Sequence, residues 1–188
     1  LKNQAEEYLL VMAAQKGNHD AFRVLFQHHQ PGLIRFAYKL SNDQEVAKDA
    51  SQDVWIKTAK TLYKLNDPKA FKSWIYRAVR WRTLDLIRQK QRQNNMFEHG
   101  VEQQELENNT VNTSQPDSVE TDKSALIAAI DTLARIERQM IHLFYLDDMA
   151  VAEISIVLDI PVGTVKSRLN RARQQLKQKL ENDEDEYR

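Results

Sequence analysis

Between positions 164 and 173 the chain sets Lys166, Arg168, Arg171 and Arg173 beside Thr164, Ser167 and Asn170. Cations of this kind neutralise phosphates, an Arg fork matches the two acceptors of a guanine edge, and Ser or Asn hydrogen-bonds bases or backbone. The chemistry is recognition of a nucleic acid, not bond making. Val165, Leu169, Ala172 and Leu176 recur through the same stretch at i, i+4, i+7 and i+11. That spacing buries one helix face and leaves the polar set on the other. Ile154, Val157 and Leu158 precede it as a short apolar run, and Asp159-Ile160-Pro161 interrupts the two. A short helix, a tight turn and a longer basic helix form a helix-turn-helix unit, with Ile160 plugging the angle. Thr164 lies near the start of the second helix, where free backbone N–H groups favour a phosphate. A basic run alone is usually a solvated face; the helix and turn ahead of it point to DNA.

A second basic set lies upstream. Lys69, Lys72, Arg77, Arg80, Arg82, Arg88, Lys90 and Arg92 face only Asp85 among acidic residues of their stretch, and Trp74, Tyr76 and Trp81 interleave with them. Such a ridge suits capture of a single strand: cations track the backbone and rings stack on bases. Trp74 is read as core. Asn66-Asp67-Pro68 just ahead is a loop signal whose polar side chains can hold a base taken from an opened strand. Asp49, Gln52 and Asp53 fall at i, i+3 and i+4, which places them on one helix face.

Other chemistry finds little support. The histidines are His19, His28, His29, His99 and His142, without a His-Glu-x-x-His spacing. Adjacent His28 and His29 are expected to point apart on a helix, so no metal site is expected. No glycine loop cradles a phosphate and no nucleophile elbow is present. The chain has no cysteine, which excludes disulfides and thiolate chemistry and suits a reducing, cytoplasmic setting. No catalytic residue, metal or cofactor is assigned. No apolar run approaches the ~18 residues of a membrane span, so membrane insertion is not expected, and no signal-peptide pattern is seen at the start.

These residues must be positioned by helices. Of 188 residues, 41% are hydrophobic and 29% charged, with four Gly and four Pro; so few breakers favour long helices over many-turned sheet. Net charge is zero, so only its distribution bears on function. Apolar periodicity predicts helices over 21–40, 43–62 and 69–92, with Pro31-Gly32 as a kink point. Phe22, Leu25, Phe26, Leu33, Phe36, Val46, Ala47, Ala50, Val54, Ala59, Leu62, Phe71 and Ile75 are core candidates. Further helices are expected over 123–133, 137–145, 150–158 and 162–180. The stretch 94–122 is Asn-, Gln-, Ser- and Thr-rich, acidic, and without Lys or Arg, and reads as a linker with a weak helix at 101–106. The tail 181–188 reads as acidic and frayed. The fold class expected is all-α: a helical domain over 1–93, a flexible linker over 94–122, and a helix-turn-helix domain over 123–180.

The string Ile160-Pro161-Val162-Gly163-Thr164-Val165-Lys166-Ser167-Arg168-Leu169-Asn170-Arg171-Ala172-Arg173 resembles the −35-reading helix of extracytoplasmic-function (ECF) sigma factors of the sigma-70 family. Leu133-Ala134-Arg135-Ile136-Glu137-Arg138-Gln139-Met140 is similar to that family's entry helix. Taken alone, this half also fits a response-regulator output domain. Asp49-Ala50-Ser51-Gln52-Asp53-Val54-Trp55 resembles the family's polymerase-docking helix, and Phe71-Lys72-Ser73-Trp74-Ile75-Tyr76-Arg77-Ala78-Val79-Arg80 followed by Asp85-Leu86-Ile87-Arg88 its −10-holding helix. The resemblance spans roughly 20–92 and 123–180. It implies a promoter-directing subunit whose partners are core RNA polymerase (β′ clamp and β flap), promoter DNA and, by analogy, an anti-sigma factor. It assigns Thr164, Lys166, Ser167, Arg168, Asn170, Arg171 and Arg173 to the −35 element. To the −10 element it assigns Asn66, Asp67, Lys69, Lys72, Tyr76, Arg77, Arg80, Trp81 and Arg88, and to polymerase Asp49, Gln52 and Asp53. The chain departs from the pattern at Asp159, where Gly is frequent, at Ala150, where a Ser or Thr cap is frequent and Asp147 or Asp148 is expected to cap instead, and at Trp81, where Asn is frequent. Two other readings stay open. One is a sigma-like protein that sequesters an anti-sigma factor without using DNA, which should lack the basic face. The other is a helix-turn-helix regulator that does not bind polymerase, against which the Asp49–Asp53 face stands.

Overall fold

Among the described residues of the computed structural model, every regular element is helical. Backbone is described for residues 4–97 and 121–186, and side chains for 4–93 and 126–180. The elements are α1 (Gln4–Gln15), α2 (His19–Ser41), α3 (Gln44–Thr61), α4 (Phe71–Phe97), α5 (Thr121–Asp131), α6 (Arg135–Ile141), α7 (Val151–Leu158) and α8 (Val162–Glu186). Single 3-10 turns at Leu62–Lys64 and Pro68–Ala70 join α3 to α4, and a π-turn at His142–Leu146 extends α6. The expected weak helix at 101–106 lies outside the described residues.

Capping fixes where the first helices begin. The Asn18 side chain accepts from the Ala21 N–H at 2.9 Å, and Asp43 accepts from the N–H groups of Glu45 and Val46 at 3.0 and 3.2 Å. α2 closes at Asn42 in the left-handed conformation, φ 53°, which Asn tolerates better than most residues. Helix α2 continues through Pro31. The adjacent Gly32 serves contact, because a Cβ there would overlap the Tyr76 hydroxyl. That glycine lets α4 lie close against α2.

The expected stripes meet in the first unit. Leu25, Leu33, Phe36, Phe71 and Ile75 are buried, and Phe22, Phe26 and Phe71 surround Trp55 with ring centroids at 5.7, 5.1 and 6.5 Å. Two core assignments change. Ala59 is exposed, and Phe26 is only partly covered at 37% exposure. Thr58 and Trp55 take the inward positions of α3 because the helix meets α2 and α4 along the 47–50–54–58 row. Helix α1 falls within the helical domain expected over 1–93 but is not among the helices that spacing delimits there. It buries Val11 fully, and Gln15 donates to the carbonyls of Leu62 and Leu65 at 3.1 and 2.7 Å, pinning the loop ahead of α4.

In the second unit Met140, Leu143, Ile154, Val157, Val165 and Leu169 form the core. α7 is not capped by Asp147 or Asp148. Instead Glu153 accepts from the Ala150 N–H at 2.8 Å, the carboxylate half of a capping box. The final helix runs to Glu186, beyond the frayed end expected at 181. The two units touch: α4 packs on α7, and one buried apolar cluster runs through both.

Candidate nucleic-acid interface

α8 turns its apolar row inward and its basic row outward. Val165, Leu169 and Ala172 are buried, while Lys166, Ser167, Asn170, Arg171 and Arg173 are exposed and Thr164 and Arg168 half-buried. The turn ahead of it holds Asp159 at φ 60°. The Ser155 hydroxyl donates to the Ile160 carbonyl at 2.6 Å, which closes the corner. The basic residues are not equivalent. Arg171 faces Glu137 at 3.7 Å, and the Glu137 side chain is only 6% exposed. Arg173 lies over the rings of Phe144 and Tyr145 at 5.2 and 5.8 Å. Ser167 donates to the Thr164 carbonyl at 3.1 Å. The side chains of Lys166, Arg168 and Asn170 make no hydrogen bond or ion pair with the other described residues. Glu137, Phe144 and Tyr145 thus prepare the basic face, and spacing could not identify them because they approach it only through tertiary packing.

The second basic set is divided by the contact between units. Trp81 and Arg88 are exposed on α4, and Asn66, Asp67 and Lys69 are exposed in the loop before it. The Asp67 carboxylate accepts from the Lys69 N–H at 2.9 Å, so Asp67 shapes the turn. Lys72, by contrast, donates to the Asp148 carbonyl at 3.0 Å, and Arg77 pairs with Asp159 at 3.4 Å. Arg80 is half-buried, its Nε without a hydrogen-bond partner among the described residues; burial and the charge of Arg135 lower its pKa. Tyr76 is 3% exposed, so its ring cannot stack on a base in this arrangement. It is core because the 71–75–79 row of α4 faces α2, and position 76 flanks that row. Its phenol meets Asp147, which also pairs with Arg35 at 3.2 Å. Burial, reinforced by the Asp147 charge, pushes the Tyr76 pKa up; burial likewise raises that of Asp147, against the pull of Tyr76 and Arg35.

Asp49, Gln52 and Asp53 do share one exposed face of α3. Asp53 is bridged by Arg82 at 2.7 Å, and Arg82 also reaches Asp85 at 2.8 Å. Lys90 pairs with Asp43, tying the far end of α4 to the start of α3. No helix among the described residues is long and apolar enough to cross a membrane.

Known proteins are similar to this chain in sequence and in fold. Residues 25–93 match the family described as Sigma-70 region 2, and residues 123–176 match Sigma-70, region 4. The ECF RNA polymerase sigma-E factor of Escherichia coli K12 is 30% identical over 190 residues, covering 96% of this chain and 97% of that protein. ECF sigma factor SigW of Bacillus subtilis is 26% identical over 177 residues, covering 90% and 94%. The fold is also that of CnrH in complex with the cytosolic domain of CnrY, with TM-score 0.64 and 22% identity over 95% of this chain and 99% of that one. RpoE of Bartonella quintana, solved with the anti-sigma factor NepR, gives TM-score 0.62 and 23% identity over 85% and 96%. Two matched regions in the family's order, and a full-length relative at this identity, establish that the chain belongs to the ECF sigma factors of the sigma-70 family.

Proposed function

We propose that this sigma factor works through three surfaces on two separable helical domains, 1–93 and 123–180. Asp49, Gln52 and Asp53 dock on the polymerase β′ clamp. Thr164, Lys166, Ser167, Arg168, Asn170, Arg171 and Arg173 read the −35 element in the major groove, and the β flap receives the same domain. Asn66, Asp67, Lys69, Lys72, Arg77, Arg80, Trp81 and Arg88 hold the opened −10 strand, so that binding energy stabilises the bubble. Tyr76 supports α4 from beneath rather than touching DNA. Polymerase carries out the bond making, and the setting is cytoplasmic. An anti-sigma partner, as NepR is for RpoE of Bartonella quintana, is a further partner of this chain.

The observation carrying this reading is the outward α8 face, where Lys166, Arg168 and Asn170 make no hydrogen bond or ion pair with the other described residues and stand opposite a buried stripe. Groups so placed are available for phosphates and base edges. The test is transcription in vitro by core polymerase plus this chain on a randomised promoter library. Enriched −35 and −10 sequences that depend on the chain are expected. Failure to bind core polymerase in a pull-down overturns the reading in favour of a DNA regulator. Polymerase binding without any sequence enrichment favours a protein that only sequesters a partner.

A further inference from the structure

A polar cluster in the first unit has no part in the three surfaces just described. Glu7 on α1 and His28 and His29 on α2 each bring one donor atom to within 4.8 Å of the others. The expectation that the two histidines diverge does not hold: their ring centroids are 4.9 Å apart, at an interplanar angle of 84°. The third donor comes from α1, which folds across α2, so linear spacing could not show the set.

His29 demands an explanation. It is 3% exposed, its ring packs edge-on against Phe71 at 5.4 Å, and its Nε2 has no hydrogen-bond partner among the described residues. A buried, unsatisfied imidazole nitrogen costs about 1–3 kcal/mol. That nitrogen faces the Glu7 carboxylate at 3.6 Å, beyond hydrogen-bond length. Two donors on one tetrahedral zinc, each at about 2.0–2.1 Å, lie roughly 3.4 Å apart. The His29–Glu7 separation is therefore close to that of two atoms sharing an ion. His28 is exposed, so rotation of its side chain can close the remaining gap and the fourth position opens to water. Lys72, whose charge reaches both Glu7 and His28, opposes a cation, but its ammonium is turned to the Asp148 carbonyl at 3.0 Å.

We propose that Glu7, His28 and His29 bind one divalent transition cation of the zinc class, clamping α1 onto α2. Two imidazoles and one carboxylate suit Zn²⁺, Co²⁺ or Ni²⁺, whereas Mg²⁺ and Ca²⁺ call for all-oxygen shells. The site is independent of the DNA and polymerase surfaces.

The test uses the untagged full-length chain, stripped by chelator and titrated with Co²⁺ under visible absorption, then challenged with Zn²⁺. One Co²⁺ per chain, displaced by Zn²⁺, is expected. His28→Gln and Glu7→Gln should each weaken Co²⁺ at least tenfold, while His19→Gln and His142→Gln leave affinity unchanged. Zn²⁺ should raise the melting temperature of the parent chain but not of His28→Gln, whose exposed position spares the fold. Absence of saturable Co²⁺ binding, or wild-type affinity in either His28→Gln or Glu7→Gln, overturns the proposal.

Discussion

Replacing Lys166 by Ala tests one proposed phosphate contact. The side chain is exposed, lies outside the buried row, and makes no hydrogen bond or ion pair with the other described residues, so its loss leaves folding unchanged. Each phosphate neutralised on duplex DNA contributes about −0.9 to the slope of log K against log salt. Raising salt from about 50 to 200 mM changes log salt by about 0.6, so one contact accounts for roughly a 3.5-fold change in affinity over that interval. Holoenzyme reconstituted with Lys166→Ala should therefore weaken on promoter DNA with a slope shallower by about 0.9, measured by fluorescence anisotropy across the salt series. Arg171→Ala should behave differently. Arg171 already faces Glu137 at 3.7 Å, so its slope change should be smaller. Its loss also strips a nearly buried carboxylate of its counter-charge, costing about 1 kcal/mol of stability. Parallel salt lines for Lys166→Ala and the parent would refute the placement of α8 on phosphates.

Three more outcomes follow from the same geometry. Asp53→Ala should keep its melting temperature within a few degrees, because the exposed pair with Arg82 contributes at most about 1 kcal/mol, yet lose at least tenfold in affinity for core polymerase; unchanged affinity in a titration would remove Asp53 from the clamp surface. Burial, with Lys39 nearby, depresses the His142 pKa to about 4. Its contribution to stability is thus complete above the unfolded value near 6.5 and is lost as pH falls toward 4, roughly 2 kcal/mol between pH 7 and 5. Urea melts should show that difference shrinking in His142→Gln, and an identical pH dependence would contradict it. Asp159→Arg sets two cations against each other where Arg77 now finds a carboxylate at 3.4 Å. The swing of about 1–2 kcal/mol should strengthen binding of the free protein to a single-stranded −10 oligonucleotide by roughly 5- to 30-fold, and no gain would mean that the pair does not restrain the units.

Helices whose apolar rows are continuous were legible from spacing alone. The α8 row of Val165, Leu169 and Ala172 is buried as expected, and so are Leu25, Leu33 and Phe36 of α2. What escaped was tertiary. α1 has one fully buried residue, Val11, so periodicity had little to report; it is held by α2 and by the Gln15 bridge to the loop. Tyr76 sits one position beyond an inward residue, where a ring can turn to either side, and Gly32 decides the matter by giving its hydroxyl room. Asp147 was expected to cap a helix. It is taken by Tyr76 and Arg35, more than 70 residues away in sequence, and Glu153 supplies the cap. Asp159 replaces the glycine favoured at a left-handed corner, and in return makes the Arg77 pair that a glycine could not.

The two proposed DNA surfaces are therefore not equally available. The face of α8 is open while α4 is packed on α7, but Lys72, Arg77 and Arg80 are engaged or covered by that packing. On this reading, contact with a duplex through α8 needs no rearrangement of the units, whereas release of Lys72, Arg77 and Arg80 for a single strand needs them to part. The polar contacts between them resist this weakly, since Arg77 and Asp159 are 43% and 62% exposed and such pairs contribute at most about 1 kcal/mol each. Asp147 resists no better: its carboxylate is 5% exposed, and burial disfavours its charge by an amount that separation returns to water. Apolar contact between α4 and α7 is the main restraint. A single strand that bound Lys72, Arg77 and Arg80 only in the parted form would stabilise that form by mass action, whereas the α3 face of Asp49, Gln52 and Asp53 is exposed with the units packed and would be open to a partner in either form.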